Sequence, residues 1–261
     1  MFAMLRQIWD LRFFCAELAR HDLKDRYRRS VLGLAWSLIK PASMTLILTV
    51  IFTHVFDATV LDYAPFLFVG IITWQFFTES MVQGCNAFRL GNTYLRLRPV
   101  PIAIFPLRVI LSAGLHALIG LAAAIIAIAC IRGFEQPLAL LALVPAFCIL
   151  AVTAWSLACI CGVLHALYAD TQQIVEIGMQ GLFYATPVLY STDSLRSAGW
   201  LHWVVEFNPF AAMIEMVRRP LLMSEIPDAH VYMVALIFMT ASATAACLTL
   251  RRAENRIMLW L

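Results

Sequence analysis

The chain has 261 residues, of which 62% are hydrophobic and 13% charged, and its formal net charge is +3. A soluble domain of this length covers its surface with about a quarter charged residues, so the composition excludes an ordinary soluble enzyme and points to lipid as the main solvent. The small positive excess carries little information about partners, because in a membrane chain the placement of Lys and Arg outranks their total.

Residues 2–20 read as an amphipathic helix lying in the membrane interface. Phe2, Leu5, Trp9, Phe13 and Ala16 share one face, and Arg6, Asp10 and Glu17 another. The same charges interrupt the place where the apolar core of a cleavable signal peptide would stand, so the first span is expected to direct its own insertion. A basic run, Lys24-Asp-Arg26-Tyr-Arg28-Arg29, then closes residues 1–31 and marks the cytoplasmic end of the first span.

Residues 32–261 read as one all-α, polytopic domain of six transmembrane helices. The apolar stretches are 32–56, 63–87, 105–131, 138–164, 174–190 and 232–250, most of them long enough for the ~30 Å hydrocarbon core, with the fifth the shortest. With the N-terminus inside, Arg89, Arg96, Arg98, Arg251, Arg252 and Arg256 join the N-terminal basic residues in the cytoplasm. Only Arg132, Arg196, Arg218 and Arg219 fall outside, which predicts both termini on the cytoplasmic side. Before the last span, residues 201–207 and 210–217 are too short to cross. Asn208-Pro209 joins them, so a re-entrant helical hairpin over about 193–220 is expected, with a surface hairpin as the alternative.

Small residues at helical spacing, Ala154, Ala158 and Gly162 in the fourth span and Ala241 and Ala245 in the sixth, predict close helix contacts within the chain. Seven cysteines, several inside apolar runs, do not suggest a disulfide framework; Cys159-x-Cys161 is expected to pack, not to bind metal, and no metal site is expected.

Polar groups within spans are costly and select for an interior role; here they are Lys40, Glu79, Gln83, His116 and Glu176. Lys40 suits snorkelling as well as a site, and Glu79 suits a conduit or a hydrogen-bonded packing position. Trp74, Phe76, Phe77, Phe183, Tyr184, Tyr190, Trp200 and Trp203 offer flat apolar faces to sugar CH groups, or act as interface anchors. His165-x4-Asp170 has a spacing used by some acyltransferases, but no companion phosphate motif follows it. The only lysines, Lys24 and Lys40, do not follow glycine, so a phosphate-binding loop of the Gly-x4-Gly-Lys-Ser/Thr kind is absent. No catalytic residue and no nucleic-acid partner are predicted.

The order and spacing of Asp22-Leu-Lys-Asp-Arg-Tyr-Arg-Arg-Ser-Val-Leu-Gly-Leu-Ala-Trp36-Ser-Leu-Ile-Lys-Pro41 resemble the start of the ABC-2 type permeases that export lipid-linked polysaccharides, namely O antigens, capsules and teichoic acids. The resemblance continues through Phe68-Val-Gly-Ile-Ile-Thr-Trp-Gln-Phe-Phe-Thr-Glu-Ser80, Thr186-Pro-Val-Leu-Tyr190 and Asn208-Pro209. It implies a homodimer in the bacterial inner membrane, two copies of a separate cytoplasmic ATPase that binds ATP and Mg, and a polymer channel at the subunit interface. The chain itself needs no cofactor.

By the same resemblance, residues 92–101 couple to the ATPase, with Asn92, Tyr94, Arg96, Arg98 and Pro99 as contacts, and Asn208 and Pro209 form the re-entrant turn. Arg26, Arg28 and Arg29 are candidates for attracting the phosphate of the lipid carrier, or for anchoring to the membrane surface. Trp74, Phe77, Glu79, Phe183, Tyr184 and Tyr190 are the candidate channel lining. Two departures leave the branch open: Ala169-Asp170 replaces an Arg-Asp pair, and Leu97-Arg-Pro-Val-Pro101 is closer to capsule exporters. Exporters of drugs or simple lipids, or a membrane-embedded acyl- or glycosyltransferase, are the alternative functions.

Overall fold

The computed structural model describes residues 9–56, 59–91, 101–191 and 206–253. These form eight principal α-helices: α1 (Arg12–Tyr27), α2 (Trp36–Phe56), α3 (Val60–Cys85), α4 (Ile104–Ile131), α5 (Leu143–Leu167), α6 (Thr171–Ala185), α7 (Pro209–Arg218) and α8 (Ala229–Ala253). Short 3₁₀ turns precede α2 and α5, and a π-helical turn (Arg219–Met223), entered through Pro220, extends α7. The predicted coupling residues Asn92, Tyr94, Arg96, Arg98 and Pro99, and most of the first half of the predicted hairpin, lie outside the described residues.

Among the described residues, five segments are long and apolar enough to cross a membrane: Gly33–His54, Val60–Cys85, Ile104–Ile131, Pro137–Leu167 and Ala229–Ala253. They match the first, second, third, fourth and sixth predicted stretches. The fifth stretch holds α6, whose 15 residues span about 22 Å at ~1.5 Å per residue, less than the ~30 Å core.

The core is built around α3, because its residues are apolar on nearly every side and helices pack on several of its faces. Leu67, Phe76 and Phe77 of α3 are buried against Ile110 of α4, Leu150 of α5 and Phe210 and Met213 of α7. The small-residue stripe of α5 is a contact within the chain. A Cβ placed on Gly84 of α3 would lie 2.7 Å from the Ala158 Cβ, and one on Gly162 would lie 2.8 Å from the Gly84 carbonyl. In α8 the packed side is Ala235, Ser242, Ala246 and Leu250, while Ala241 is exposed and Ala245 half-buried. The period was legible there, but the face was offset by one residue.

α1 uses two faces. Trp9 and Phe13 are exposed, with the Arg12 guanidinium over both rings at 4.8 and 4.5 Å. Cys15 and Leu18 are buried against Ile104 of α4. The helix also runs on to Tyr27, through the first part of the basic run. It ends at a break where Gly33, at φ +49°, donates its N–H to Ser30 Oγ at 3.1 Å; this left-handed backbone favours glycine. The middle of α2 exposes Leu46, Ile47, Val50 and Ile51, an apolar surface suited to lipid.

Candidate functional site

A polar cavity of about 380 Å³ lies where α1, α2, α3 and α4 meet. Helical periodicity assembles its walls: Ser37 and Lys40 are three residues apart on α2, and Gln75 and Glu79 four apart on α3. Arg26 enters from the last turn of α1, and His116 from α4. Arg26 Nη1 donates to Glu79 Oε1 in an ion pair and also lies 3.2 Å from His116 Nε2. Guanidinium has donors only, so His116 Nε2 must accept; the neutral ring then carries its proton on Nδ1 and donates to Ser37 Oγ at 2.6 Å. The Tyr27 ring meets the imidazole edge-on at 5.9 Å.

Beside this cavity, α1 is tied to α4 a second time. The Arg108 guanidinium is almost fully buried, and its Nε is 3.4 Å from Asp22 Oδ2. Burial raises the Asp22 carboxyl above its ordinary pKa, and Arg108 opposes this rise without overcoming it. Burial likewise pushes the nearby Cys15 thiol up to about 11, with Arg108 again opposing.

The sequence-predicted residues separate into distinct places. Arg26 lines the cavity, whereas Arg28 and Arg29 are exposed and take no part in it. Glu79 belongs with Arg26 and not with the aromatic residues of the predicted lining. Those aromatic residues do form a connected group: Trp74 packs on Phe183 and Phe210, Phe77 on Phe210, and Phe183 on Tyr184, with centroid separations of 5.3–5.9 Å. The Tyr190 hydroxyl donates to the Tyr184 carbonyl at 3.3 Å.

Their exposures differ, however. Trp74 and Phe77 are 5% and 0% exposed, inside the helix bundle, so they stand behind a surface and do not form one; Tyr184 is 64% exposed. Aromatic content is visible in a sequence, but which side of α3 faces neighbouring helices is decided by packing.

A third constellation lies about 20 Å along α3 from Glu79, counting ~1.5 Å for each residue back to Phe66. Arg218, at the end of α7, is buried and donates through Nη1 to the Pro187 carbonyl and through Nη2 to the Val188 carbonyl, each at 2.6 Å. Its guanidinium stacks 3.6 Å from the Phe66 ring centroid. Gly70 makes the space: a Cβ there would lie 2.1 Å from Arg218 Nη2. Tyr63 donates to the Leu189 carbonyl at 2.7 Å. Asn208 caps α7 by accepting from Phe210 N and Ala211 N, and its Nδ2 donates to Thr186 Oγ1 at 3.1 Å. Segment 186–189 is thus held by three different side chains.

Arg108 and Arg218 were missed as site residues by sequence reasoning. A cation within a span was a usable signal for Arg108; nothing local distinguished Arg218, buried on backbone carbonyls, from half-buried Arg219, which pairs with Glu215 and Asp228. Near the acyltransferase-like spacing, His165 Nδ1 has no hydrogen-bond partner, so Asp170 does not orient it through that nitrogen. Among the described residues no cluster of three or more His, Cys, Asp or Glu side chains is arranged to hold a metal ion.

The profile of the ABC-2 type transporter family matches residues 15–222. An O-antigen export system permease protein RfbA of Klebsiella pneumoniae is 29% identical over 198 residues, covering 76% of this chain and 75% of the relative. A Myxococcus xanthus protein of the same name is 24% identical over 239 residues, covering 88% of each. The polysialic acid transport protein KpsM of Escherichia coli is 22% identical over 204 residues, covering 77% and 78%.

Proposed function

Because the chain belongs to the ABC-2 type transporter family, we propose that it is the membrane-spanning permease subunit of an ATP-driven exporter of polysaccharide, with lipid-linked O antigen as the substrate class. The observation that carries this reading is the match to O-antigen export permeases over 76–88% of the chain. It is a transport subunit, not an enzyme. ATP and Mg²⁺ bind to a separate cytoplasmic ATPase, and two such subunits serve a homodimer of this chain in the bacterial inner membrane. The relatedness to KpsM supports capsular polysaccharide as the second substrate reading.

In this account residues 92–101 receive the ATPase stroke through Asn92, Tyr94, Arg96, Arg98 and Pro99. The 15-residue α6 with segment 186–190 supplies a sixth crossing, so both termini are cytoplasmic and the re-entrant hairpin lies at the outer end. Three features support this: the basic N-terminal segment, the short α7 capped by Asn208 before Pro209, and the attachment of segment 186–189 to α3 and α7. Phe183, Tyr184 and Tyr190 line the conduit with Trp74 and Phe77 behind them. Arg26, Arg28 and Arg29 draw the carrier phosphate toward the membrane entrance, because guanidinium pairs bidentately with phosphate oxygens.

Deleting the gene tests the reading. Surface glycan is expected to fall while lipid-linked polymer accumulates inside the cell, and a complementing copy restores the surface. A deletion strain with normal surface glycan and no internal polymer contradicts it.

A further inference from the structure

We propose that the cavity at Arg26 is a diphosphate site held shut by Glu79: the head group of a lipid diphosphate takes Arg26 from the carboxylate and releases the C-terminal turn of α1. This deepens the export reading and rests on it for the identity of the substrate. The cavity contains two permanent cations, Arg26 and Lys40, against one carboxylate, Glu79. Lys40 has no ion pair among the described residues, so the walls retain an uncompensated positive charge that favours an anion. The volume, about 380 Å³, lies within the range of small-ligand pockets.

The hydrogen bonds define the exchange. Arg26 Nη1 serves both Glu79 and His116 Nε2, so a phosphate oxygen that recruits the guanidinium removes the donor from both. His116 Nε2 is then open to protonation and becomes a third donor to the anion, while its Nδ1–H stays on Ser37 Oγ. Gln75, one turn from Glu79, adds an amide donor at the same wall. Opening is local. The Asp22–Arg108 pair and the Cys15 and Leu18 contacts still hold the preceding turns of α1, so only the end near Arg26 comes free.

The test uses the full chain with its ATPase in nanodiscs, titrated with farnesyl diphosphate, inorganic pyrophosphate and farnesol. Farnesyl diphosphate is expected to bind wild type, and Glu79→Gln to bind it about three- to tenfold more tightly, because a partly exposed competing ion pair is removed. Lys40→Gln and His116→Gln are expected to weaken binding about tenfold through lost charge-assisted contacts. Binding of farnesyl diphosphate well above pyrophosphate assigns the site to a lipid head group; equal binding assigns it to free diphosphates.

Farnesol binding as strong as farnesyl diphosphate overturns the site. So does unchanged or weaker binding in Glu79→Gln with unchanged binding in Lys40→Gln and His116→Gln. Hydrogen exchange separates a latch from a merely structural pair: ligand raises exchange in the last turn of α1 and leaves Leu18 protected, and equal exchange with and without bound ligand overturns the latch. These readouts are independent of polymer export. Normal surface glycan in a deletion strain removes the export reading whatever binds, whereas failed binding with impaired export in that strain removes only the diphosphate site.

Discussion

Arg26 and Glu79, 53 positions apart in the chain, form an ion pair that joins the last turn of the N-terminal helix to the central helix of the bundle. Their side chains are 41% and 26% exposed, so water screens part of the attraction. A double-mutant cycle with Arg26→Gln and Glu79→Gln is therefore expected to give a coupling of about 0.5–1.5 kcal/mol in thermal or denaturant unfolding of the detergent-solubilised chain. Additive effects would show that the pair makes no net contribution to the fold.

The other end of α3 has less tolerance. Gly70→Ala sets a methyl group 2.1 Å from Arg218 Nη2, and the guanidinium cannot move without losing the Pro187 and Val188 carbonyls. The expected cost is about 2–4 kcal/mol, through overpacking and a buried charge with fewer partners. Arg218→Lys retains the charge but not the two-pronged geometry and is expected to fail nearly as badly. Unfolding midpoints and surface glycan check both, and a Gly70→Ala protein as stable as wild type would refute the close approach.

Asn208→Ala removes the α7 cap and the bond to Thr186 together. Loss of the cap alone is worth about 1 kcal/mol, and Asn208→Ser, which retains an acceptor, is expected to recover most of it. Comparison of Tm for the two variants checks the assignment.

Two helical glycines provide a matched contrast. Gly84→Val in α3 is expected to cost more than about 2 kcal/mol, since even a Cβ would stand 2.7 Å from Ala158. Gly178→Ala in α6 has no heavy atom within 4 Å of the new Cβ. It is expected to fall between neutral and about 1 kcal/mol more stable, from helix propensity. Expression and unfolding midpoint distinguish the two.

The spans were legible because lipid selects long apolar runs. Predicted stretches 105–131 and 138–164 agree with Ile104–Ile131 and Pro137–Leu167 to within three residues at each end. Asn208-Pro209 was read as a turn between two short pieces; the second piece is the helix α7, which Asn208 caps just before a proline that has no N–H to leave unpaired, and most of the first lies outside the described residues. The pairings were not legible. Arg26 with Glu79, Arg108 with Asp22, and Arg218 with the 187–188 carbonyls each join distant segments, and periodicity contains no information about which helices meet. The same limit explains Trp74 and Phe77: their aromatic character suggested a lining, but the packing of α3 turned them inward.

Export itself is measured most directly with this chain and its ATPase in sealed proteoliposomes, loaded on the ATPase-facing leaflet with fluorescent lipid-linked polysaccharide. ATP is expected to move polymer to the opposite side, where an added glycosidase digests it, and Glu79 and Arg26 variants are expected to change the rate while preserving assembly. Polymer that stays protected from the glycosidase despite ATP hydrolysis by the assembled complex would contradict the account.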